Sequence, residues 1–327
     1  MARLSKRRRQ EQPATGTGTA TRTGNVTGTG TRSPSRYRAQ KVRVQLPWWR
    51  SPWAWGSGAG AVVVAVVIVF VVIAASGPAG TPDAAAPSSV VSEVTGVSPS
   101  ILATVGAGGL SDPFQKLPAS AKALTSGGRP VVLMIGEDSC PYCAFERWGM
   151  VVALSRFGTF SNLHITSSSS TDVYPNTDSF SFYQSSYSSP YLVFQGVETN
   201  ATDGAALQTP TATQESLLNT YDVPPYVPSA EAGGVPFVDL GGRWVANGDP
   251  PVNYTVGATT ITSAPELLEG LTWQQIAGSL SEPSNYQAKG ILGDANFLTA
   301  AICKLTGNQP GSVCGTSTIT QLEGQLG

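Results

Sequence analysis

Apolar and polar positions alternate along this 327-residue chain in patterns that name different elements. The longest pattern is unbroken. Gly58 to Ala75 holds only Gly, Ala, Val, Ile and Phe, and no charge occurs between Arg50 and Asp83. As a helix these 18 residues would extend roughly 27 Å, close to a bilayer core of ~30 Å. Shorter apolar runs bounded by turn residues read as strands. They are Pro130–Gly136, Asn162–Thr166 and Tyr191–Glu198, with two more runs flanking Gly241-Gly242 as a hairpin. Phe180, Phe182, Tyr183 and Tyr187 partly alternate with polar residues and predict one more strand between Asp172 and Pro190.

Helical spacing marks other stretches. Ala144–Phe157 follows the first strand directly. Thr211–Tyr221, Pro265–Leu280 and Asn285–Leu305 read as helices, and Leu117–Leu124 as a short one leading into the strand at Pro130. Val90, Val91, Val94 and Val97 also recur at helical spacing, interrupted by Gly96 and Pro99. Residues 1–45 are rich in Arg, Gly and Thr, cannot bury a core, and predict disorder. Ser76–Ser89 has the Pro/Ala/Ser/Gly composition of a stalk.

Charge changes the picture of the apolar run. The first 50 residues hold 12 of the 20 Lys and Arg and one acid, for a net charge of +11. The remainder is −12. A basic flank before an apolar helix belongs in the cytoplasm, so the C-terminal body is expected outside the cell membrane. Trp48, Trp49, Trp53 and Trp55 stand where an interfacial aromatic belt would lie. The alternative is a cleaved signal peptide, which the long basic preamble and the long apolar run disfavour. The expected divisions are a cytoplasmic tail at 1–47, a signal-anchor at 48–76, a stalk at 77–89 and an extracytoplasmic domain at 90–327. Beside a membrane segment the basic tail reads as lipid-facing, with no nucleic-acid partner.

All four cysteines follow that segment, in a disulfide-permissive space. Cys140-Pro141-Tyr142-Cys143 sits between the first strand and its helix. A cysteine at a helix N-terminus faces unpaired N–H groups and the positive end of the dipole, which favour thiolate. Pro141 suits the first helical turn, where its missing N–H costs nothing. Strand before and helix after favour a redox pair over a zinc half-site or two inert buried cysteines. Cys140, nearer the helix start, is the expected exposed nucleophile, and Cys143 the resolving thiol.

Cys303 and Cys314 bracket a Gly/Pro-containing loop and read as a structural disulfide. A second redox pair acting as a relay, and a zinc site of all four cysteines, are the alternatives. His164 is the only histidine, in a predicted strand, which argues against a His-rich metal centre or a Cys-His protease. No phosphate loop or dinucleotide fingerprint occurs, and no metal, flavin or nucleotide cofactor is implied. The aromatic residues from Phe180 to Tyr191 would line a peptide groove or, more simply, pack an edge or the core.

Strand, Cys-x-x-Cys, helix, strand, then Val235-Pro236 before a hairpin and a final helix resembles the thioredoxin-like superfamily over roughly residues 125–282. The longer pattern from Gly136 to Trp148, with Ala153–Phe160, is similar to a family of membrane-anchored, thioredoxin-like actinobacterial and archaeal proteins of unknown function. The resemblance implies an α/β fold: a thioredoxin-like mixed sheet flanked by helices, with an insertion and a C-terminal helical extension. It also implies that Pro236 forms a cis bond beside the cysteine pair and shapes a groove for substrate backbone. Two departures stand out. Ninety-two residues separate Cys143 from Pro236. Met134 occupies the place where many such proteins carry a buried acid. The expectation is thiol-disulfide exchange with extracytoplasmic protein thiols or disulfides. The alternatives are a non-enzymatic binding module with a static Cys140–Cys143 bond and an anchored envelope-assembly protein.

Overall fold

The computed structural model describes residues 84–327. The basic tail, the apolar run 58–75 and the start of the stalk lie outside the described residues. Among the described residues no helix is long and apolar enough to cross a membrane.

Residues 84–86, expected as stalk, add backbone hydrogen bonds to the body: Ala86 N to Leu163 O at 2.9 Å and Ile165 N to Ala84 O at 2.9 Å. Helix α1 (Ser88–Thr95) buries Val90 and Val94 and stops at Gly96. Helix α2 (Pro99–Val105) opens with Ser98 accepting from the Ile101 N–H. The interruption seen at Gly96 and Pro99 thus separates two helices.

Strands β1 (Gln115–Lys116) and β2 (Thr125–Ser126) flank a stretch that is not the helix expected at Leu117–Leu124. Its backbone instead runs along the later hairpin, with Leu117 N bonded to Arg243 O and Leu124 N to Gly241 O. Pro118 has no N–H to donate, and outside partners take the amides a helix would need.

Strand β3 (Arg129–Gly136) is the centre of the sheet. Its period-2 alternation is read out on two faces. Val132 and Met134 enter the larger core, which holds both Cys140 and Cys143. Val131, Leu133 and Ile135 enter a smaller core on the other side. Helix α3 (Pro141–Ser155) follows, then β4 (Thr159–Ser161), β5 (His164–Ser167), β6 (Asp178–Ser181), β7 (Ser186–Ser188) and β8 (Val193–Glu198). Helix α4 (Ala212–Tyr221) has a capping box from Thr211 and Gln214. The hairpin is β9 (Phe237–Leu240) and β10 (Trp244–Asn247), turning through Gly241 and Gly242 with φ of 65° and 66°. A small β11 (Tyr254–Val256) and β12 (Thr259–Ile261) pair comes next.

The helix expected at Pro265–Leu280 is two pieces, a 3-10 helix at Ala264–Leu268 and α5 (Trp273–Ser279). Gly270 at φ 72° ends the first, and a Thr272/Gln275 capping box starts the second. Helix α6 (Tyr286–Leu305) is capped by Asn285, and the short α7 (Gly311–Cys314) and α8 (Ser317–Glu323) close the chain.

The resulting architecture is a mixed α/β sheet flanked by helices. Strand order is β1-β10-β9-β3, with β8 parallel to β3 and β2 folded onto the start of β3. The strand predicted at 162–166 exists as β5 but does not join this sheet. It pairs with β6, while β4 pairs with β7. Both small pairs belong to the insertion.

Candidate active site

Cys140 is the N-cap of α3, and its sulfur accepts from the Cys143 N–H at 3.2 Å. Its own S–H reaches the Val235 carbonyl oxygen at 3.4 Å. The Val235–Pro236 peptide is cis. The fold therefore brings Pro236, distant in sequence, to the Cys140–Cys143 pair. It does so because α3 starts where β3 ends, and β9 lies antiparallel beside β3 with Ile135 opposite Phe237.

Exposure corrects one expectation. Cys140 is only 6% exposed and Cys143 is fully buried. The helix is buried nearly all round, so its first turn meets solvent only at its tip. A cleft of about 480 Å³ opens there, lined by Tyr142, Glu231, Gly234, Val235, Asn247 and Asp249.

The pair is asymmetric. Burial pushes the Cys143 thiol well above the usual cysteine range, and its hydrogen bond and proximity to Cys140 push the same way. The Arg147 charge and a hydrogen bond from the Glu137 backbone oppose the rise. Close packing enforces this setting: a Cβ at Gly136 would stand 3.2 Å from the Cys143 sulfur and 3.3 Å from Met134 Cε. Met134 thus supplies hydrocarbon beside the pair where an acid was the family expectation.

Sequence reasoning did not find Arg147 and Glu198. Both are buried. Arg147 donates through Nε to Glu198 Oε1 at 2.9 Å, and through Nη2 to Glu198 Oε2 at 2.5 Å and Glu137 O at 2.7 Å. Asp138 Oδ1 lies 3.4 Å from Nη2, and Ser181 donates to Asp138 Oδ2 at 3.1 Å. Burial works against the Arg147 charge. Glu198, then Asp138 and Cys143, outweigh it and hold the guanidinium above its ordinary pKa. The available signal was a Glu-Arg pair inside an otherwise apolar helix, together with Glu198 closing an apolar strand.

The insertion braces the motif. Ser169 N–H donates to Ser139 O at 2.8 Å, Trp148 Nε1 to Asp178 O at 3.0 Å, and Ser179 Oγ to Ala144 O at 2.6 Å. Phe180 packs edge-on against Trp148 with centroids 4.6 Å apart, and Phe182 stacks on Phe160 at 5.8 Å. Phe180, Phe182 and Tyr183 are buried in the core, while Tyr187 and Tyr191 are half-buried against it. His164 is half-buried on β5.

Cys303 and Cys314 are disulfide-bonded to each other, with Cα atoms 5.5 Å apart. They join the end of α6 to α7 and are not available to a four-cysteine zinc site. Among the described residues no group of three or more His, Cys, Asp or Glu is arranged to hold a metal ion.

The family model described as Domain of unknown function (DUF929) matches residues 115–304, more than half of the chain. That span takes in Cys140, Cys143 and Pro236. No curated protein matches the chain. No solved structure matches it.

Proposed function

The chain belongs to the DUF929 family, and from that premise we propose that it is a membrane-anchored, extracytoplasmic thiol-disulfide exchange protein with a thioredoxin-like core. The carrying observation is the position of Cys140: it caps α3 and contacts the carbonyl of Val235 beside an open cleft. In this reading Cys140 attacks a client disulfide from the helix N-terminus, where its sulfur accepts from the Cys143 N–H. Cys143 then attacks the Cys140–client bond, closes Cys140–Cys143 and releases the reduced client. The client backbone would lie along the cleft beside Val235 and Pro236. Only sulfur chemistry is needed, with no metal, flavin or nucleotide. Lipid would be met through residues 58–75, and clients on the outer side.

Substitution of Cys143 by Ser tests this reading. Without the resolving thiol, mixed disulfides on Cys140 should accumulate in cells and disappear on reduction. A non-reducing gel with mass spectrometry of the adducts makes the measurement. The burial of both sulfurs favours a second reading, a binding module with an inert pair. Absence of adducts in a folded, membrane-inserted variant, with Cys140 resisting alkylation after reduction, would select that second reading.

A further inference from the structure

Arg147 has a donor that the fold leaves unused. Its Nη1 is buried and makes no hydrogen bond, while Nε and Nη2 are taken by Glu198 and Glu137. A buried donor without a partner costs stability, so a fold that retains one calls for an explanation. Arg147 lies four residues after Cys143 on α3, on the same helix face. Residue 137 connects the two: its backbone hydrogen bond reaches Cys143, and its carbonyl accepts from Arg147 Nη2. Glu198 and Asp138 fix the guanidinium from the other side.

We propose that Arg147 is a positioning residue for Cys143, its unused Nη1 being the donor that stabilises the Cys143 sulfur as an anion during attack on the Cys140 mixed disulfide. The proposal rests on the exchange reading and assigns its second step. In that step the Cys143 S–H proton goes to the departing client sulfur. The Cys143 sulfur bonds to Cys140 Sγ, the Cys140–client S–S bond breaks, and its electron pair leaves on the client. Over both steps the two cysteines are oxidised by two electrons and the client disulfide is reduced to two thiols. A buried acid could accept a proton but would repel the thiolate. Met134 does neither, and a buried cation lowers the cost of the anion directly.

The charged surroundings set the expected sign. Arg147 favours the Cys143 thiolate, and Cys140 opposes it. Glu198 on β8 and Asp138 in the turn before α3 act on Arg147. Of the elements packed on α3, β6 brings Asp178, and α6 brings Asp294, whose carboxyl faces Gly149.

The experiment uses the full chain in detergent. In a Cys140→Ser background, alkylation of Cys143 against pH reports its titration. With Cys140 intact, glutathione disulfide serves as probe: the Cys140–glutathione adduct forms first, and Cys143 then releases glutathione. Arg147→Gln with Glu198→Gln removes the charge together with its main acid partner, while Asp138 keeps its hydrogen bond from Ser181. It should raise the Cys143 titration by about one unit and slow glutathione release about tenfold, with adduct formation changed less than about twofold. Arg147→Lys should restore part of both. Should the double variant not fold, Glu198→Gln alone decides: a less neutralised Arg147 should lower the Cys143 titration and quicken release. Unchanged titration and release in a folded variant overturn the proposal. If Cys140 forms no adduct in the parent protein, the exchange reading fails, and the Cys143 titration still decides the role of Arg147.

Discussion

Asp294 is 1% exposed, and its Oδ2 makes no hydrogen bond. It faces Gly149 of α3 so closely that a Cβ there would collide with it. Burial raises its pKa from 3.8 to about 8. Glu146 moves in the same direction, by burial first and then by Asp294 and Asp249. An acid raised in the folded state binds more protons folded than unfolded. The Asp294 contribution is therefore full below pH ~4 and is lost as pH rises through about 8. Asp294→Asn should flatten the fall in melting temperature between pH 5 and 8.5. It should also stabilise the protein by roughly 1–3 kcal/mol at the upper end. An unchanged slope in thermal unfolding at the two pH values would refute this. At this scale the sequence is readable where chemistry is local. Cys140 and Cys143 announce themselves by spacing and by the helix that follows. Arg147, Glu198 and Asp294 do not, because a charge in a sequence defaults to the surface. What keeps Arg147 inside is Glu198, 51 positions away.

Among the elements, α6 is buried along most of its length and ends at the Cys303–Cys314 bond. A disulfide closing a loop of about ten residues should contribute roughly 2–3 kcal/mol. Replacing both cysteines with Ser should lower the melting temperature and leave the alkylation rate of Cys140 unchanged. Lost exchange at unchanged stability would instead assign this pair to an electron relay. Element prediction succeeded where an apolar period coincided with a capping residue, as at Asn285 for α6 and Thr211 for α4. It failed at Leu117–Leu124, where the amides bond across to Arg243 and Gly241. It also ran two helices together at Gly270, since one glycine within an apolar period reveals its left-handed turn only in the fold.

At the scale of the whole molecule, the described residues carry 8 Lys and Arg against 19 Asp and Glu, opposite in sign to the +11 tail. The topology inferred from that contrast predicts that a membrane-impermeant protease added to intact cells digests the body and spares residues 1–50. Protection of the body would refute it. The mixed sheet was legible from β3, β8 and the hairpin. That 162–166 would leave the sheet for an outlying pair was not, because partner choice among strands is set by packing rather than by a strand's own residues. The insertion carrying that pair has a further consequence. By clasping Ser139, Ala144 and Trp148, it ties the motif and the first half of α3 to β6 and the segment before it. On the exchange reading, a sulfur only 6% exposed meets a disulfide on a slack, newly exported strand more readily than one locked inside a finished domain. The age of a client, more than its identity, would then decide whether it is served.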